Sequence, residues 1–257
     1  MNTYKNFVIN LVSRVGEIMR NDFSLGMQKG WKEDNTPVTA TDIAINKLVI
    51  EEIRKSFPEH SVLGEEDGNQ GKSDLVWVCD PLDGTVPFSH GYPIFVFSIA
   101  LTRKGKSVLG AIYDPVMDRL AFAEKGKGAF LNNKKITVSQ KNDFANALIN
   151  LDADYRLPLR QRLIQKEVFA TTLYSAVYGG LLVACGEFVA EIYDYNKPWD
   201  GAAVKVIVEE AGGKVTDLLG NEQRYDQPIN GFIASNGPLH NELVELIKST
   251  PTSERSN

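Results

Sequence analysis

The sequence is poor in the residues that mark several large classes of protein. Its 257 residues include only two cysteines, Cys79 and Cys185, both in apolar surroundings, so we expect a buried, reduced pair and exclude a disulfide scaffold. Lys and Arg number 28 against 33 Asp and Glu, which leaves a net charge of -5 and no basic surface for a nucleic acid. The three histidines are scattered along the chain, which argues against a zinc site or a Ser-His-Asp triad.

Long apolar runs are missing as well. No stretch approaches the roughly 20 apolar residues that a membrane-spanning helix needs. The first residues, Met1 to Lys5, lack the apolar core of a signal peptide. We therefore expect a cytoplasmic protein without membrane association. What is present, 43% hydrophobic and 24% charged residues, is the composition of a globular chain long enough for one large domain or two small ones.

The first part of the chain predicts two helices followed by an antiparallel sheet. Apolar residues at helical spacing predict an amphipathic helix over residues 4–21, and residues 24–37, rich in Gly and charge, predict a loop. A second helix begins near Thr39, with Asp42 placed to complete a capping box. Strand-forming runs separated by short turns follow, at 75–79, 94–103, 107–113, 119–124 and 128–131.

After about residue 142 the pattern changes to alternating strands and helices, which is typical of an α/β arrangement. Strands are predicted at 147–151, 168–171, 188–193, 214–216 and 232–235, and helices at 156–167, 174–185, 200–211 and 238–248. We therefore divide the chain into an N-terminal α+β half, residues 1–142, and a C-terminal α/β half, residues 143–257. The polar end, residues 249–257, is expected to fray.

The motif with the most chemistry is Asp80-Pro81-Leu82-Asp83-Gly84-Thr85. An apolar strand runs into its Asp-Pro step, where Pro81 turns the chain. Two carboxylates at a strand end, followed by backbone N–H groups, can hold hard cations beside a phosphate. An ordinary Asp-Pro/Asp-Gly turn contains the same residues, so the hexapeptide alone leaves both interpretations open.

Further segments in the same order make the chain resemble the inositol monophosphatase family over roughly residues 5–240. The segments are Thr36-Pro37-Val38-Thr39-Ala40-Thr41-Asp42, Gly64-Glu65-Glu66, the hexapeptide, Gly110-Ala111-Ile112-Tyr113-Asp114-Pro115, Pro198-Trp199-Asp200-Gly201-Ala202-Ala203 and Glu210-Ala211-Gly212-Gly213. The resemblance implies an α+β fold, a layered α-β-α-β-α sandwich, with the site between the two halves. It also implies magnesium-dependent, lithium-sensitive hydrolysis of a small phosphate monoester, and a homodimer.

The resemblance assigns metal ligands from both halves of the chain. Glu65, Asp80 and the carbonyl of Leu82 would bind one magnesium ion. Asp80 would bridge to a second ion, whose site Asp83 and Asp200 complete. Glu65 would also help to hold a third, looser ion through waters, and we therefore count it among the catalytic residues. Two to three ions are expected, most of their ligands coming from the N-terminal half.

The resemblance also implies which residues handle the water and the phosphate. Thr85 and Asp42 would form a hydrogen-bonded pair that positions the attacking water, a second use for a residue whose spacing alone indicates a helix cap. The N–H groups of Gly84 and Thr85, next to Asp83, would receive the phosphate. Lys32, in the loop before Asp42, would approach the metal-bound phosphate.

The chain departs from the family pattern where the substrate is recognised. Inositol-selective members carry a Glu seven residues before the metal-binding Asp, and here Tyr193 takes that place. Glu191 would share a strand face with Tyr193 and pair with a substrate cation, and Lys197 would lie near the pocket mouth. In the alternative interpretation Glu191 is solvated and Tyr193 only packs. Val86-Pro87 departs from the family pattern too, at the start of a helix rather than at a metal ligand.

The sequence therefore leaves the substrate open. Inositol 1-phosphate is expected to be at best one of several substrates, and histidinol phosphate, fructose bisphosphate and adenosine bisphosphate are the alternatives. A non-catalytic, metal-binding regulatory protein is the alternative from another class. The Thr85–Asp42 pair argues against it, because a protein that only binds metal has no need to position a water.

Overall fold

The structure is a computed structural model that describes residues 2–32, 37–66, 68–152 and 157–250. Within these ranges it contains seven helices and two large β-sheets stacked in layers, which confirms the expected fold class. Thr36 and the end of the chain from residue 251, which was expected to fray, lie outside the described residues. In the described ranges no helix is long and apolar enough to cross a membrane.

The helices and strands follow the predicted order closely. The helices are α1 (Asn2–Asp22), α2 (Ala40–Ser56), α3 (Thr85–Ser89), α4 (Leu157–Gln165), α5 (Ala176–Ala184), α6 (Pro198–Glu210) and α7 (His240–Lys248). The strands are β1 (Gly30–Trp31), β2 (Pro37–Val38), β3 (Ser61–Gly64), β4 (Gly68–Gln70), β5 (Leu75–Asp83), β6 (Val96–Arg103), β7 (Lys106–Asp114), β8 (Arg119–Glu124), β9 (Ala129–Leu131), β10 (Lys134–Lys135), β11 (Leu148–Asp152), β12 (Phe169–Thr171), β13 (Ala190–Tyr193), β14 (Lys214–Thr216) and β15 (Phe232–Ser235).

The larger sheet has eight strands in the order β10-β9-β8-β7-β6-β5-β3-β4. Its strands are antiparallel except for β3 and β5, which run parallel. The expected antiparallel sheet is thus confirmed, while β3, β4 and β10 were not predicted. Two-residue or polar strands such as β4 and β10 lack the apolar alternation by which a strand is recognised.

Two predictions about this part of the chain were wrong in detail. The region expected to be only a loop contains a short antiparallel ribbon, with Gly30 opposite Val38 and Trp31 opposite Pro37. Strand β5 does not stop at the Asp-Pro step but continues to Asp83. Its register against β6 shifts between Asp80 and Asp83, because Pro81 has no N–H group to give to the ladder.

The smaller sheet has five strands in the order β12-β11-β13-β15-β14. Strand β11 runs parallel to β12 and β13, and β15 runs antiparallel to β13 and β14. Helices α1 and α2 cover one face of the larger sheet, α5 and α6 lie between the two sheets, and α4 and α7 cover the far face of the smaller one. Residues of β13 therefore alternate between the central helices and the outer pair.

Helix α7 begins with a buried histidine whose ring is held in its neutral form. His240 is 1% exposed, its Nε2 lies 2.9 Å from Thr216 Oγ1, and its Nδ1 lies 2.7 Å from Ser235 Oγ. Thr216 Oγ1 donates its own proton to the Asp217 carbonyl, so it accepts from Nε2–H, and Ser235 Oγ donates to Nδ1. Burial, together with nearby lysines, lowers the pKa of His240 to about 4.

We expect this histidine to make the free energy of unfolding fall with acidification. The unfolded chain takes up a proton near pH 6.5, whereas the folded chain resists protonation until about pH 4. The contribution is therefore fully present above pH 6.5 and is lost toward pH 4, up to about 3 kcal/mol. Urea unfolding of the wild type and of His240→Gln between pH 7 and 4.5 measures it. Equal pH dependence in the two proteins would contradict the assignment.

Candidate active site

A cavity of about 530 Å³ opens where β5 ends and α6 begins. Its walls come from both sheets and from the two helices between them. The lining residues are Pro37, Glu65, Asp80, Leu82, Asp83, Gly84, Thr85, Val86, Asp152, Tyr174, Ala176, Tyr193, Tyr195, Asn196, Lys197, Trp199 and Asp200. Most residues predicted for the site from the sequence are thus brought to one place.

Three aspartates form the centre of this cavity. Asp80, Asp83 and Asp200 each offer a carboxylate oxygen, and the three oxygens lie within 4.8 Å of one another. Asp80 and Asp83 are placed by the irregular end of β5, and Asp200 by the first turn of α6, which begins at Pro198. Residues far apart in sequence thus present one cluster of oxygen ligands.

The cluster is buried, and its charges repel one another. Burial and the neighbouring carboxylates raise the pKa of Asp80 and of Asp83 well above the usual range, and burial raises that of Asp200. Burial also raises the pKa of Glu65 to about 7, even though Lys32 beside it acts in the opposite direction. Carboxylates in such a site become stable as anions when a cation lies among them.

The donor set fits magnesium. The cluster offers carboxylate oxygens, the hard ligands that Mg²⁺ prefers, and Leu82, whose carbonyl is a predicted ligand, lines the same cavity. Neither His nor Cys is among the described residues that line the cavity, so the soft and nitrogen ligands typical of zinc are missing there.

Asp42 and Thr85 are brought into contact as predicted. Thr85 Oγ1 lies 3.0 Å from Asp42 Oδ1 and 3.0 Å from the Leu82 carbonyl oxygen. The other carboxylate oxygen of Asp42 accepts hydrogen bonds from Thr39 N, at 2.8 Å, and Thr39 Oγ1, at 2.5 Å. Asp42 thus caps α2 with one oxygen and holds Thr85 with the other. Burial raises its pKa, although the Thr39 and Thr85 hydrogen bonds act against this.

The turn after β5 is fixed from both sides. Leu82 N donates to Asp80 Oδ1 at 2.9 Å, which closes the turn around Pro81. Gly84 has a φ of 87°, and a side chain there would collide with the carbonyl of Ile94. Only glycine meets both demands, so the tight bend between Asp83 and Thr85 requires glycine at position 84.

Lys32 lies against the acidic residues at the edge of the site. Its Nζ is 2.7 Å from Glu65 Oε1 and 2.6 Å from Glu66 Oε1. Burial alone would lower the pKa of Lys32, but the two glutamates raise it above its ordinary value. Lys32 is not among the residues that line the cavity, so the structure places it as the partner of Glu65.

Two residues predicted to read the substrate are buried, and of the two only Tyr193 lines the cavity. Tyr193 is 5% exposed, stacks on Phe232 at 5.1 Å between ring centroids, and donates its hydroxyl to Asp200 Oδ2. Glu191 is completely buried and does not reach the cavity. They do share a strand face, but that face looks toward α5 and α6 rather than toward solvent. The spacing of two residues in a strand predicts that they share a face, but it does not predict whether that face points to solvent or to the interior.

Several residues of the cavity were not identified from the sequence. Ser175, at the N-terminus of α5, donates its hydroxyl to Asp83 Oδ2. Tyr174 and Tyr195 are 49% and 39% exposed at the wall. Lys197, by contrast, was predicted near the pocket mouth and lines the cavity, with its Nζ 5.5 Å from the ring centroid of Trp199. A serine before a helix suggests only a cap, and exposed aromatics carry no pattern, so both signals are weak.

Comparison with known proteins agrees with this geometry. The model of the inositol monophosphatase family matches residues 1–252. The chain is 32% identical to a fructose-1,6-bisphosphatase/inositol-1-monophosphatase of Thermotoga maritima, with 94% of each chain covered. It is 32% identical to a histidinol-phosphatase of Chlorobaculum parvum, covering 93% of this chain and 94% of that one. A solved Thermotoga maritima IMPase structure superposes with a TM-score of 0.88 at 31% identity, covering 96% of this chain and 97% of that one.

Proposed function

Because the chain belongs to the inositol monophosphatase family, we propose that the cavity at the end of β5 hydrolyses small phosphate monoesters with the help of bound magnesium. The chain is a phosphatase of phosphate monoesters. The observation that supports this site is the buried cluster of Asp80, Asp83 and Asp200, whose oxygens lie within 4.8 Å of one another. Such a group of like charges has no packing role that apolar residues would not fulfil better.

The predicted magnesium ligands form a central group of three aspartates and a second group beside it. Asp80, Asp83 and Asp200 would hold magnesium at the centre, and Glu65 and the Leu82 carbonyl would complete the ligands beside them. Magnesium supplies Lewis-acid polarisation of the phosphoryl oxygens and a more acidic water. We propose two to three ions, as the family resemblance implies.

Thr85 and Asp42 would handle the attacking water. Asp42 Oδ1 accepts from Thr85 Oγ1, which leaves the lone pairs of Thr85 Oγ1 to accept a hydrogen bond from a water in the cavity. Because Asp42 is fixed by Thr39, the threonine hydroxyl is held in one orientation. The pair thereby orients the water and assists proton transfer from the water as the water attacks the phosphorus.

The phosphate would lie on the tight bend after β5. Backbone N–H groups of Gly84 and Thr85 would face its oxygens, beside Asp83. Lys32, engaged with Glu65 and Glu66, would act on the ester indirectly by neutralising charge at the edge of the site.

The wall around the leaving group favours a ring with a flat face. Tyr174, Tyr195 and Trp199 present aromatic surface, while Tyr193 already uses its hydroxyl on Asp200. Adjacent hydroxyls of a polyol would thus find no carboxylate at this position, which weakens selection for inositol, by about 1–3 kcal/mol for each unpaired group. One relative is named a histidinol-phosphatase, and another is named both a fructose-1,6-bisphosphatase and an inositol-1-monophosphatase, so the family is not confined to one substrate.

Phosphate release from a panel of monoesters tests the function. The panel is inositol 1-phosphate, histidinol phosphate, fructose bisphosphate and adenosine bisphosphate, each with magnesium and with a chelator. We expect release in magnesium only, with kcat/KM for inositol 1-phosphate no higher than for the best ring-bearing alternative. Phosphate release that persists in chelator would contradict the metal site. A kcat/KM for inositol 1-phosphate well above those of the other substrates would contradict the inference that the aromatic wall weakens selection for inositol.

Other properties are proposed from the sequence and from the family resemblance. We propose a cytoplasmic homodimer that is sensitive to lithium. We also propose that the chain divides near residue 142 into a half that supplies most of the metal ligands and a half that supplies Asp200 and the wall around the leaving group. Sedimentation of the purified protein measures the oligomeric state directly.

A further inference from the structure

We propose that Glu191 is a positioning residue that fixes Asp83 from beneath the site, through Asn150 and the segment that leads into α5. This inference rests on the proposed function, since it concerns how a proposed magnesium ligand is held. It gives Glu191 a different role from the substrate contact expected from the sequence.

The first link is a buried pair on the smaller sheet. Asn150 and Glu191 are direct partners in the register of β11 and β13, and both are completely buried. Asn150 Nδ2 donates to Glu191 Oε2 at 2.6 Å. Burial raises the pKa of Glu191 well above its usual range, so the carboxyl group adds no stable negative charge below the site. Its acceptor oxygen, rather than its charge, is what Asn150 uses.

The second link joins this pair to the segment before α5. Asn150 Oδ1 accepts from Leu173 N at 2.9 Å. Glu191 orients the amide of Asn150, because an amide whose Nδ2 is fixed cannot turn its oxygen away from Leu173. Two residues later, Ser175 donates its hydroxyl to Asp83 Oδ2. The segment is thus anchored at Leu173 on one side and at Asp83 on the other.

The residue between the two anchors explains why both are needed. Tyr174 has a φ of 57°, a left-handed conformation that a bulky residue avoids. Such a conformation is strained and persists only where its surroundings enforce it. With the Leu173 anchor removed, Tyr174 is free to relax, and Ser175 would move away from Asp83.

The helix above is adapted to this buried carboxyl group. Gly179 of α5 lies directly over Glu191, and a Cβ atom at that position would overlap Glu191 Oε2. Glycine inside a helix is less favourable than alanine. Its presence at this point is explained by the space that Glu191 takes.

Glu191→Gln and Glu191→Met form a matched pair for the test. Glutamine keeps an oxygen that accepts from Asn150, whereas methionine fills a similar volume without an acceptor of comparable strength. Magnesium binding is measured by calorimetry without substrate. We expect a Kd within about twofold of the wild type for Glu191→Gln and about tenfold or more weaker binding for Glu191→Met, as is typical for groups that orient metal ligands. Equal binding by both variants would overturn the proposal.

Two further measurements separate positioning from stability. In metal-free protein, the amide of Leu173 should exchange with solvent faster in Glu191→Met than in Glu191→Gln at equal thermal stability. Combined with Ser175→Ala, Glu191→Met should weaken magnesium binding no further than Ser175→Ala alone, because both act on Asp83 by one route. Additive losses would show two independent effects and overturn the route. If Glu191→Met does not fold, Glu191→Asp, which withdraws the acceptor by one methylene, takes its place with the same expected results.

The design also distinguishes this inference from the proposed function. If the wild type binds magnesium and Asp83→Asn does not, the metal site stands and only the Glu191 comparison decides the inference. If the wild type neither binds magnesium nor hydrolyses a monoester, the proposed function and this inference both fall.

Discussion

Asp83→Asn is expected to reduce the turnover of a phosphate monoester by about 10³-fold or more while the protein remains folded. The carboxylate of Asp83 lies in the cluster with Asp80 and Asp200, and an amide of the same shape removes the charge that holds a cation there. Without the Lewis acid, the transition state loses several kcal/mol of stabilisation, and the barrier rises by the same amount. A rise of this size corresponds to the expected fall in turnover. Steady-state kinetics at saturating magnesium measures it.

Stability should respond to Asp83→Asn in the opposite direction. The asparagine oxygen can still accept from Ser175, and in metal-free protein one of three mutually repelling buried charges is gone. The melting temperature of the metal-free variant should therefore equal or exceed that of the wild type, and added magnesium should raise it less. Asp74→Asn, at a carboxylate whose side chain is 72% exposed, is the control. It should change neither the melting temperature of the metal-free protein nor the rise on adding magnesium. Near-wild-type turnover in folded Asp83→Asn would refute the metal assignment.

Thr85→Val is expected to lower kcat by about 10²–10³-fold, the range typical of a group that assists proton transfer. Valine keeps the shape of threonine but has no hydroxyl to join Asp42 Oδ1 to a water. KM and the magnesium Kd should change little, because the metal ligands are untouched. The comparison of kcat with KM therefore identifies a role in the chemical step rather than in binding.

Thr102→Val is the matched control for Thr85→Val. Thr102 is a buried threonine whose hydroxyl donates to a backbone carbonyl, at 3.2 Å from Val76 O, and it lies on β6 away from the cavity. Its replacement should cost stability and leave kcat unchanged. Asp42→Asn combined with Thr85→Val should be no slower than the worse single variant, since the two residues act as one unit. A folded Thr85→Val enzyme with wild-type kcat would remove this pair from the mechanism.

The fold and the centre of the site could be predicted because both depend on patterns of residues that lie close together in the sequence. Apolar periodicity identified the long helices α1 and α2 and the strands β5 to β9 of the larger sheet. Asp80, Asp83 and Thr85 stand within one hexapeptide, and Asp200 in a second motif, so the resemblance to a family located them. The contact between Asp42 and Thr85 spans 43 residues, yet it too followed from the matched positions.

The walls of the site could not be predicted in the same way, because they depend on which way a strand face points. The sequence placed Glu191 and Tyr193 on one face, and the structure shows that this face meets α5 and α6. Ser175 touches Asp83 across 92 residues of sequence, with no motif that joins them. Such contacts arise when the sheets and helices pack together. No local pattern in a single sequence indicates which distant residues will meet.

Helix α6 limits how this protein can drift in evolution. The helix carries Asp200 at its start and lies between the two sheets, with ten of its thirteen residues buried. Glycine at position 201 faces Tyr225 and Phe232 too closely for any side chain, and Val206 and Ala203 lie against Gly110 of the opposite sheet. Substitutions at the buried positions of this helix are therefore expected to disturb Asp200. Changes of substrate are expected instead in the aromatic wall, where Tyr174 and Tyr195 are 49% and 39% exposed.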